Sequence, residues 1–186
     1  MVHARAFGAP VPEVFDVSGP DIVMARASGP TMLDTLTRRP WTVRALARLL
    51  ARLHAVVHQV PPLSELPAPF GRGEAEGHVL VHRDLHPQNV ILTSTGPMII
   101  DWEGAARGPA MYDVAMTWVI VGYSQAPGPR IQAVAMRPLQ GLFSGAFVRA
   151  AGPIDLTWRS TAVCHRLADP NVLPVERARL ERLPHG

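Results

Sequence analysis

Lysine is absent from this 186-residue sequence, so all 18 residues in its combined Lys and Arg count are arginines. These arginines are dispersed rather than clustered, and the formal net charge is only +3, which argues against a nucleic-acid-binding surface. The single cysteine, Cys164, excludes an intramolecular disulfide and fits a reducing compartment. It lies in a helical pattern, where a small buried core position is expected. We therefore predict a cytoplasmic protein without a nucleic-acid partner.

Long hydrophobic runs are also missing. The longest apolar run, near Val114 to Gly122, is far shorter than a membrane span and is expected to form a core helix. No basic segment followed by an apolar one opens the chain, so no signal peptide is predicted. Hydrophobic residues make up 47% of the chain and charged residues 18%, as in ordinary soluble domains. We predict one domain or one large lobe with no membrane partner, and the sequence indicates no oligomeric state.

What the sequence does contain is a polar loop framed by two strand-like runs. The apolar residues 79–81 lead into His82-Arg83-Asp84, and the apolar residues 90–92 follow Asn89. Loops at the ends of short strands hold polar side chains on a rigid scaffold. Asp84 and Asn89 are therefore candidates for a common site.

A third apolar run, residues 98–100, ends at Asp101 after a Ser-Thr-Gly turn at 94–96. Mg²⁺ takes one or two protein oxygen ligands and fills its remaining positions with water and substrate phosphates, which fits Asn89 and Asp101. A carboxylate five residues before the metal-binding Asn can orient and deprotonate an acceptor hydroxyl, which fits Asp84. The alternative is that each of these residues only caps a turn. Three of them in this order favour the catalytic interpretation.

His82-Arg83-Asp84 with Asn89 five residues later, followed by Asp101-Trp-Glu, resembles the catalytic loop and metal-binding segment of the aminoglycoside phosphotransferase and choline kinase family. Leu-His-Pro inside the loop, and Asp-Trp-Glu where protein kinases have Asp-Phe-Gly, favour the small-molecule kinases. The resemblance implies an α+β, protein-kinase-like fold. Its mainly helical C-terminal lobe would carry small β-hairpins and a remnant of the N-terminal lobe.

The resemblance also implies how the chain is divided. Residues 1–28 would be the remnant of the small lobe and the hinge, and residues 29–186 the large lobe with the catalytic loop. Met24, Ala25 and Ala27 would then contact the adenine of a bound nucleotide. Without the resemblance, the same residues would be interpreted as a plain edge hairpin.

Two further residues have supporting roles in this interpretation. His82 is expected to pack under the loop and hydrogen-bond to backbone, and Asp113 to brace the loop through backbone N–H groups. Asp113 could instead interact only with the dipole of its own helix. His54 and His58 have an i,i+4 spacing that can bind zinc, but no third ligand accompanies them and we do not predict a metal site there.

The predicted secondary structure elsewhere is largely helical. Strands are expected over residues 13–17 and 21–26, and Thr31 is a plausible N-cap for a short helix through Leu36. A strong amphipathic helix is expected after Pro40-Trp41-Thr42, with leucines and valines on one side and arginines on the other.

A glycine-rich loop and a Lys–Glu pair, the usual small-lobe parts of a kinase, are not found in the sequence. The predicted activity is transfer of the ATP γ-phosphoryl group to a hydroxyl of a small-molecule acceptor, with ATP and Mg²⁺ as cofactors. Two alternatives remain open: a truncated or degenerate kinase-like chain without transfer activity, and a protein that only binds a nucleotide or metabolite. Four acidic residues against eight arginines from residue 114 onward argue mildly against a polycationic acceptor.

Overall fold

The computed structural model describes residues 1–19, 21–69, 78–125, 134 and 136–183. Its helices alternate with short strands in the first two thirds of the chain and follow one another in the last third. They are α1 (Val2–Ala6), α2 (Met32–Arg38), α3 (Val43–His58), α4 (Ala110–Tyr123), α5 (Arg137–Ala151), α6 (Leu156–Ala168) and α7 (Pro174–Leu180), with a 3₁₀ turn at Pro40–Thr42 before α3.

The strands of the described residues form three antiparallel pairs. The pairs join β1 to β2, β3 to β6 and β4 to β5. Their bounds are β1 (Val14–Ser18), β2 (Asp21–Met24), β3 (His78–Val81), β4 (Val90–Thr93), β5 (Gly96–Ile99) and β6 (Ala106–Pro109). A mainly helical chain with small antiparallel sheets confirms the predicted α+β class.

The core lies between α3, α4 and α5. The helix α3 has the predicted amphipathic pattern, with Leu46, Leu50 and Leu53 buried and the arginines at 44, 48 and 52 exposed. The helix α4 is mostly apolar, apart from the buried Asp113 and Thr117, and is buried along most of its length, as expected of a core helix. Packing of α3 on α5 and of α4 on α6 surrounds these side chains. Together these helices form the base on which the short strands lie.

The helix α2 begins with a complete capping box. The Thr31 hydroxyl accepts from Asp34 N at 2.9 Å, and the Asp34 carboxylate accepts from Thr31 N at 3.0 Å, which confirms Thr31 as the predicted N-cap. Leu33 N donates to the Pro87 carbonyl at 3.0 Å, so the start of this helix is tied to the polar loop.

The segment before α2 passes very close to β4. Leu92 N donates to the Pro30 carbonyl at 2.9 Å. A Cβ atom at Gly29 would lie 2.8 Å from the Leu92 carbonyl carbon and would overlap its oxygen. Glycine is therefore the residue that permits this approach, which brings the end of the predicted hinge against the strand that follows Asn89.

The β1–β2 hairpin is the most exposed part of the described chain. Both predicted strands are present, but Phe15, Val17, Ile22 and Val23 are each roughly half exposed or more. A register shift between Val14 and Asp16 marks a bulge in the first strand. These apolar side chains lie outside the main core.

Cys164 corrects one prediction, because it is exposed rather than buried. The helix α6 buries Ala162 and Val163. The next position lies about 100° further around a helix of 3.6 residues per turn, which turns Cys164 away from the core. In the part of the chain that the structure describes, no helix is both long enough and apolar enough to cross a membrane.

Candidate active site

The polar loop between β3 and β4 is fixed at its start by Asp113, in the first turn of α4. The Asp113 carboxylate accepts from His82 N at 3.2 Å and from Arg83 N at 2.6 Å. His58 Nε2 lies 3.0 Å from the same carboxylate. Burial on its own would raise the pKa of Asp113, but the hydrogen bond from His58 and the electrostatic effect of the nearby His54, His58 and His82 together bring the pKa well below its ordinary value. The loop therefore rests on a buried, ionised carboxylate.

His82 supports the loop from below. Its side chain is fully buried, and burial lowers the pKa of the imidazole so that it stays neutral. His82 Nε2 donates to the Ile100 carbonyl at 3.1 Å, while Nδ1 accepts from Asp84 N at 3.3 Å. The ring also packs on Trp102, with ring centroids 4.7 Å apart. These contacts join the loop to the segment that carries Asp101.

Asp84 and Asn89 contact each other directly. Asn89 Nδ2 donates to the Asp84 carbonyl at 2.8 Å and to the Asp84 carboxylate at 2.9 Å. His86 Nε2 lies 3.4 Å from the other carboxylate oxygen. Partial burial would raise the pKa of Asp84, but hydrogen bonds from His86 and Asn89 lower it below its ordinary value. Asp84 is therefore ionised at neutral pH and held in one orientation.

Asn89 is nearly buried, with 8% of its surface exposed. Its backbone N donates to the His86 carbonyl at 2.9 Å, and its carbonyl accepts from Ile100 N at 3.0 Å. Because the side-chain nitrogen is used by Asp84, the side-chain oxygen is the atom left to bind a cation. The bond to Ile100 places Asp101 one residue from this contact.

Asp101 is exposed and has a left-handed backbone, with φ at 62°. Arg83, at the other end of the site, has φ at 70°, and these are the two non-glycine residues with positive φ in the described chain. Such conformations cost free energy and occur often at functional sites. Trp102 holds the turn beside Asp101 by donating to the Ile99 carbonyl at 3.1 Å.

The donors that these residues offer suit a hard cation. Asn89 supplies an amide oxygen and Asp101 a carboxylate, and Mg²⁺ prefers oxygen ligands and leaves further positions for water and phosphate. No group of three or more His, Cys, Asp or Glu residues that could hold a metal occurs among the described residues. Two protein oxygen donors suit a cation that fills the rest of its shell with water and phosphate oxygens.

A cleft lies between the predicted hinge and the β4–β5 turn. Ala25 and Ala27 line it, together with Arg5 and Arg26, and its volume is about 300 Å³. Thr93, Ser94, Thr95 and Met98 form the opposite wall. Met24 does not line this cleft and is 42% exposed, so the structure separates it from the other two predicted nucleotide-binding residues.

A second cleft, of about 510 Å³, opens beside Asp84. The polar side chains Arg83, Tyr112, His165 and Arg166 line it with Asp84. An apolar pocket lies across the loop, where His86, Pro87 and Gln88 face the buried side of α5. Asp84, the candidate base, therefore lines the cleft of about 510 Å³.

Residues 62–163, more than half of the chain, match the model of the phosphotransferase enzyme family. The chain belongs to this family. Among curated proteins it is similar to the N-acetylmuramate/N-acetylglucosamine kinase of Pseudomonas aeruginosa, with 37% identity over 59 residues, or 32% of this chain and 17% of that protein. It is also similar to the thiamine kinase of Salmonella newport, with 44% identity over 39 residues, or 21% of this chain and 14% of that protein. The matched segments thus span less than a fifth of these relatives.

Solved structures show the fold of this phosphotransferase-family chain. A thermostable mutant of an aminoglycoside phosphotransferase in its apo form superposes with a TM-score of 0.59 at 16% identity, over 92% of this chain and 74% of that one. A choline/ethanolamine kinase family protein from Mesorhizobium loti gives a TM-score of 0.50 at 16% identity, over 98% and 77% of the two chains. The predicted kinase-like fold is confirmed.

Sequence reasoning missed three participants in the site of this phosphotransferase-family chain. His86 lies beside Asp84, His58 binds Asp113, and Thr117 links α3 to the loop by donating to the Leu85 carbonyl at 2.7 Å. The i,i+4 spacing drew attention to His58 only as a possible metal ligand. Its actual partner is 55 residues away in the chain, which no local pattern indicates.

His54 should make the stability of this phosphotransferase-family chain depend on pH. It is buried on α3, its Nε2 lies 2.9 Å from Thr117 Oγ1, and burial lowers its pKa from 6.5 to about 4. Between these two values the unfolded chain binds a proton that the folded chain excludes, so stability falls as the pH falls. We expect the free energy of unfolding to drop by about 3 kcal/mol from pH 6.5 to pH 4, at about 1.4 kcal/mol per pH unit.

Urea unfolding at half-unit pH steps measures this effect. His54→Gln keeps a polar side chain toward Thr117 but removes the titrating group, so its stability should vary less with pH than that of the wild type. Some slope should remain, because burial lowers the pKa of His82 as well. Equal slopes for the two proteins would show that His54 does not cause the dependence.

Proposed function

We propose that this chain is a cytoplasmic phosphotransferase that moves the γ-phosphoryl group of ATP to a hydroxyl of a small molecule. The observation that carries the proposal is the direct hydrogen bond between Asp84 and Asn89 on a loop tied to the segment of Asp101. Family membership supports the same reaction class. An amicoumacin kinase in complex with AMP-PNP and Ca²⁺ shares the fold with a TM-score of 0.50 at 16% identity, over 97% of this chain and 72% of that one.

In this proposal Asp84 acts on the acceptor. Its ionised carboxylate accepts a hydrogen bond from the acceptor hydroxyl and turns the oxygen toward the γ-phosphorus. The acceptor oxygen then bonds to phosphorus, the bond to the β–γ bridging oxygen breaks, and the hydroxyl proton passes to Asp84. The lowered pKa of Asp84 makes it a weak base, which suits a loose transition state that needs orientation more than early proton removal.

Asn89 and Asp101 are the proposed ligands of Mg²⁺. When bound, the ion would neutralise charge on the phosphates and bridge them to the protein. The contact between Asn89 and Asp84 would keep base and cation in a fixed relation. The bond from Ile100 N to the Asn89 carbonyl would do the same for Asp101.

In this proposal the adenine lies in the cleft at Ala25 and Ala27, which Met24, predicted with them, does not line. Without lysine, the cations that line this cleft are Arg5 and Arg26. Arg5 is close to Glu13, with Nη2 and the carboxylate 3.8 Å apart, so part of its charge is already offset. The cleft thus offers little positive charge to the phosphates of a nucleotide. This favours a second candidate function, in which the chain binds a nucleotide without transferring its phosphoryl group.

Calorimetric titration with ATP, with and without Mg²⁺, tests the nucleotide and metal part of the proposal. We expect binding to require Mg²⁺ and to weaken at least about tenfold in Asp101→Asn, because that change removes a charged ligand. Asn tolerates a left-handed backbone better than most residues, so the turn at φ 62° should be kept.

Asp16→Asn provides the matched control, since Asp16 is an exposed residue on β1. It should bind Mg·ATP as the wild type does. Failure of the wild type to bind millimolar ATP in the presence of Mg²⁺ would contradict both candidate functions. Mg²⁺-dependent binding without transfer to any hydroxyl would support only the second candidate function, nucleotide binding without transfer.

A further inference from the structure

Arg83 occupies a position that would suit glycine better. Its φ of 70° lies in the left-handed region, which is unfavourable for a long side chain. Asp113 holds this conformation by accepting from Arg83 N at 2.6 Å, a bond that a glycine would also make. The backbone therefore gives no reason for arginine at this position, and the reason must lie in its side chain.

The Arg83 guanidinium enters the cleft beside Asp84 without a carboxylate partner. Arg166, the other arginine of this cleft, is already paired with two carboxylates, Asp169 at 2.8 Å and Glu176 at 2.7 Å. Arg83 takes part in none of the ion pairs formed among the described residues. Its Nε is buried and has no hydrogen-bond acceptor. A buried donor without an acceptor is unfavourable, and an acceptor group that reached the guanidinium would relieve this.

Two aromatic side chains line the cleft with Arg83. Burial raises the pKa of Tyr112, which interacts with the guanidinium and lies 2.7 Å from His165 through its hydroxyl. Burial and the nearby Arg83 lower the pKa of His165, so neither ring adds a charge at neutral pH. The carboxylates that line the cleft are Asp84, which is bound to His86 and Asn89, and Asp169, which is paired with Arg166. An anion that reached Arg83 would meet a positive charge that forms no ion pair with either of them.

We propose that the acceptor of this chain carries an oxyanion, a carboxylate or a phosphomonoester, which binds Arg83 while a hydroxyl of the same molecule faces Asp84. Both groups match the planar guanidinium fork. The inference rests on the proposed function, since it names the class of acceptor for that reaction. It also explains why a polycationic acceptor would be disfavoured here, because it would bring like charge to Arg83.

Four pyranose sugars that differ mainly in charge test this inference: D-glucuronate, D-glucose 6-phosphate, D-glucose and D-glucosamine. Calorimetry without ATP gives their affinities for the wild type, Arg83→Gly and Arg48→Gln. Glycine suits the positive φ of position 83, so the first variant should fold, and an unchanged or higher melting temperature checks this. Arg48 is exposed on α3 and controls for the loss of one positive charge.

The expected result is that at least one anionic sugar binds about tenfold or more tightly than glucose and glucosamine. This preference should disappear in Arg83→Gly and persist in Arg48→Gln. In NMR spectra of the arginine Nε–H groups, the signal that the wild type shows and Arg83→Gly lacks belongs to Arg83. The same sugar should shift this signal in the wild type. Preference for glucuronate alone identifies a carboxylate, and preference for glucose 6-phosphate alone identifies a phosphomonoester.

The absence of any anion preference, or a preference that survives in Arg83→Gly, would overturn the inference. Adding Mg·ATP to the same sugars separates this failure from that of the proposed function. Anion preference without phosphoryl transfer would contradict the proposed function but support the inferred preference of the cleft for anionic ligands. Transfer to glucose or glucosamine without anion preference would support the function and refute the acceptor class.

Discussion

Asp84→Asn is expected to lower the rate of phosphoryl transfer by about 10²- to 10⁴-fold, the usual contribution of a positioned general base. The amide oxygen of the new Asn can still accept from Asn89 Nδ2, so the loop should keep its shape. What is lost is the carboxylate that orients the acceptor hydroxyl and receives its proton. Single-turnover transfer from γ-labelled ATP to the preferred sugar measures the rate.

Two measurements show whether the effect is specific to the chemical step. The affinity for Mg·ATP should stay close to that of the wild type, and Asp16→Asn, which alters an exposed carboxylate, should transfer at the wild-type rate. A rate for Asp84→Asn within threefold of the wild type would remove Asp84 from the proposed mechanism.

Asp113→Ala is expected to cause the largest loss of stability, about 3–5 kcal/mol, as when one partner of a buried charged network is removed. Two backbone donors, His82 N and Arg83 N, lose their acceptor, and so does His58. The left-handed backbone of Arg83 loses the bond that holds it. Urea unfolding followed by circular dichroism gives the change in free energy.

Asp155→Ala is the matched control for this prediction. Asp155 also stands at the start of a helix, but it caps α6 through one bond from Trp158 N at 2.9 Å. Loss of such a cap costs about 1 kcal/mol. If Asp113→Ala destabilised the protein no more than Asp155→Ala does, the carboxylate of Asp113 would not be what fixes the loop.

The parts of the fold that were predictable from sequence depend on local patterns. The helix α3 follows from its amphipathic spacing, α2 from its capping box, and the strands around the polar loop from their apolar runs. The loop itself was recognisable because Asp84, Asn89 and Asp101 lie at characteristic intervals. Their proposed roles remain predictions, but the contact between Asp84 and Asn89 is present.

The remaining features arise from packing between distant segments. Nothing local indicates that His58 would bind Asp113, or that Thr117 would connect α3 to the loop. Cys164 was misplaced because neighbouring positions on a helix differ by about 100°, and a one-residue error in the buried stripe reverses exposure. The separation of Met24 from the hinge cleft has a similar origin, since neighbouring strand residues point to opposite faces.

The β1–β2 hairpin is expected to favour self-association of the protein. Its two strands pair only with each other among the described residues, so each has an outer edge with free backbone donors and acceptors. The hairpin also exposes the apolar side chains of Phe15, Val17 and Ile22, and an exposed apolar surface favours association. A charged residue in place of one of these exposed apolar side chains is therefore expected to improve solubility without affecting the polar loop between β3 and β4.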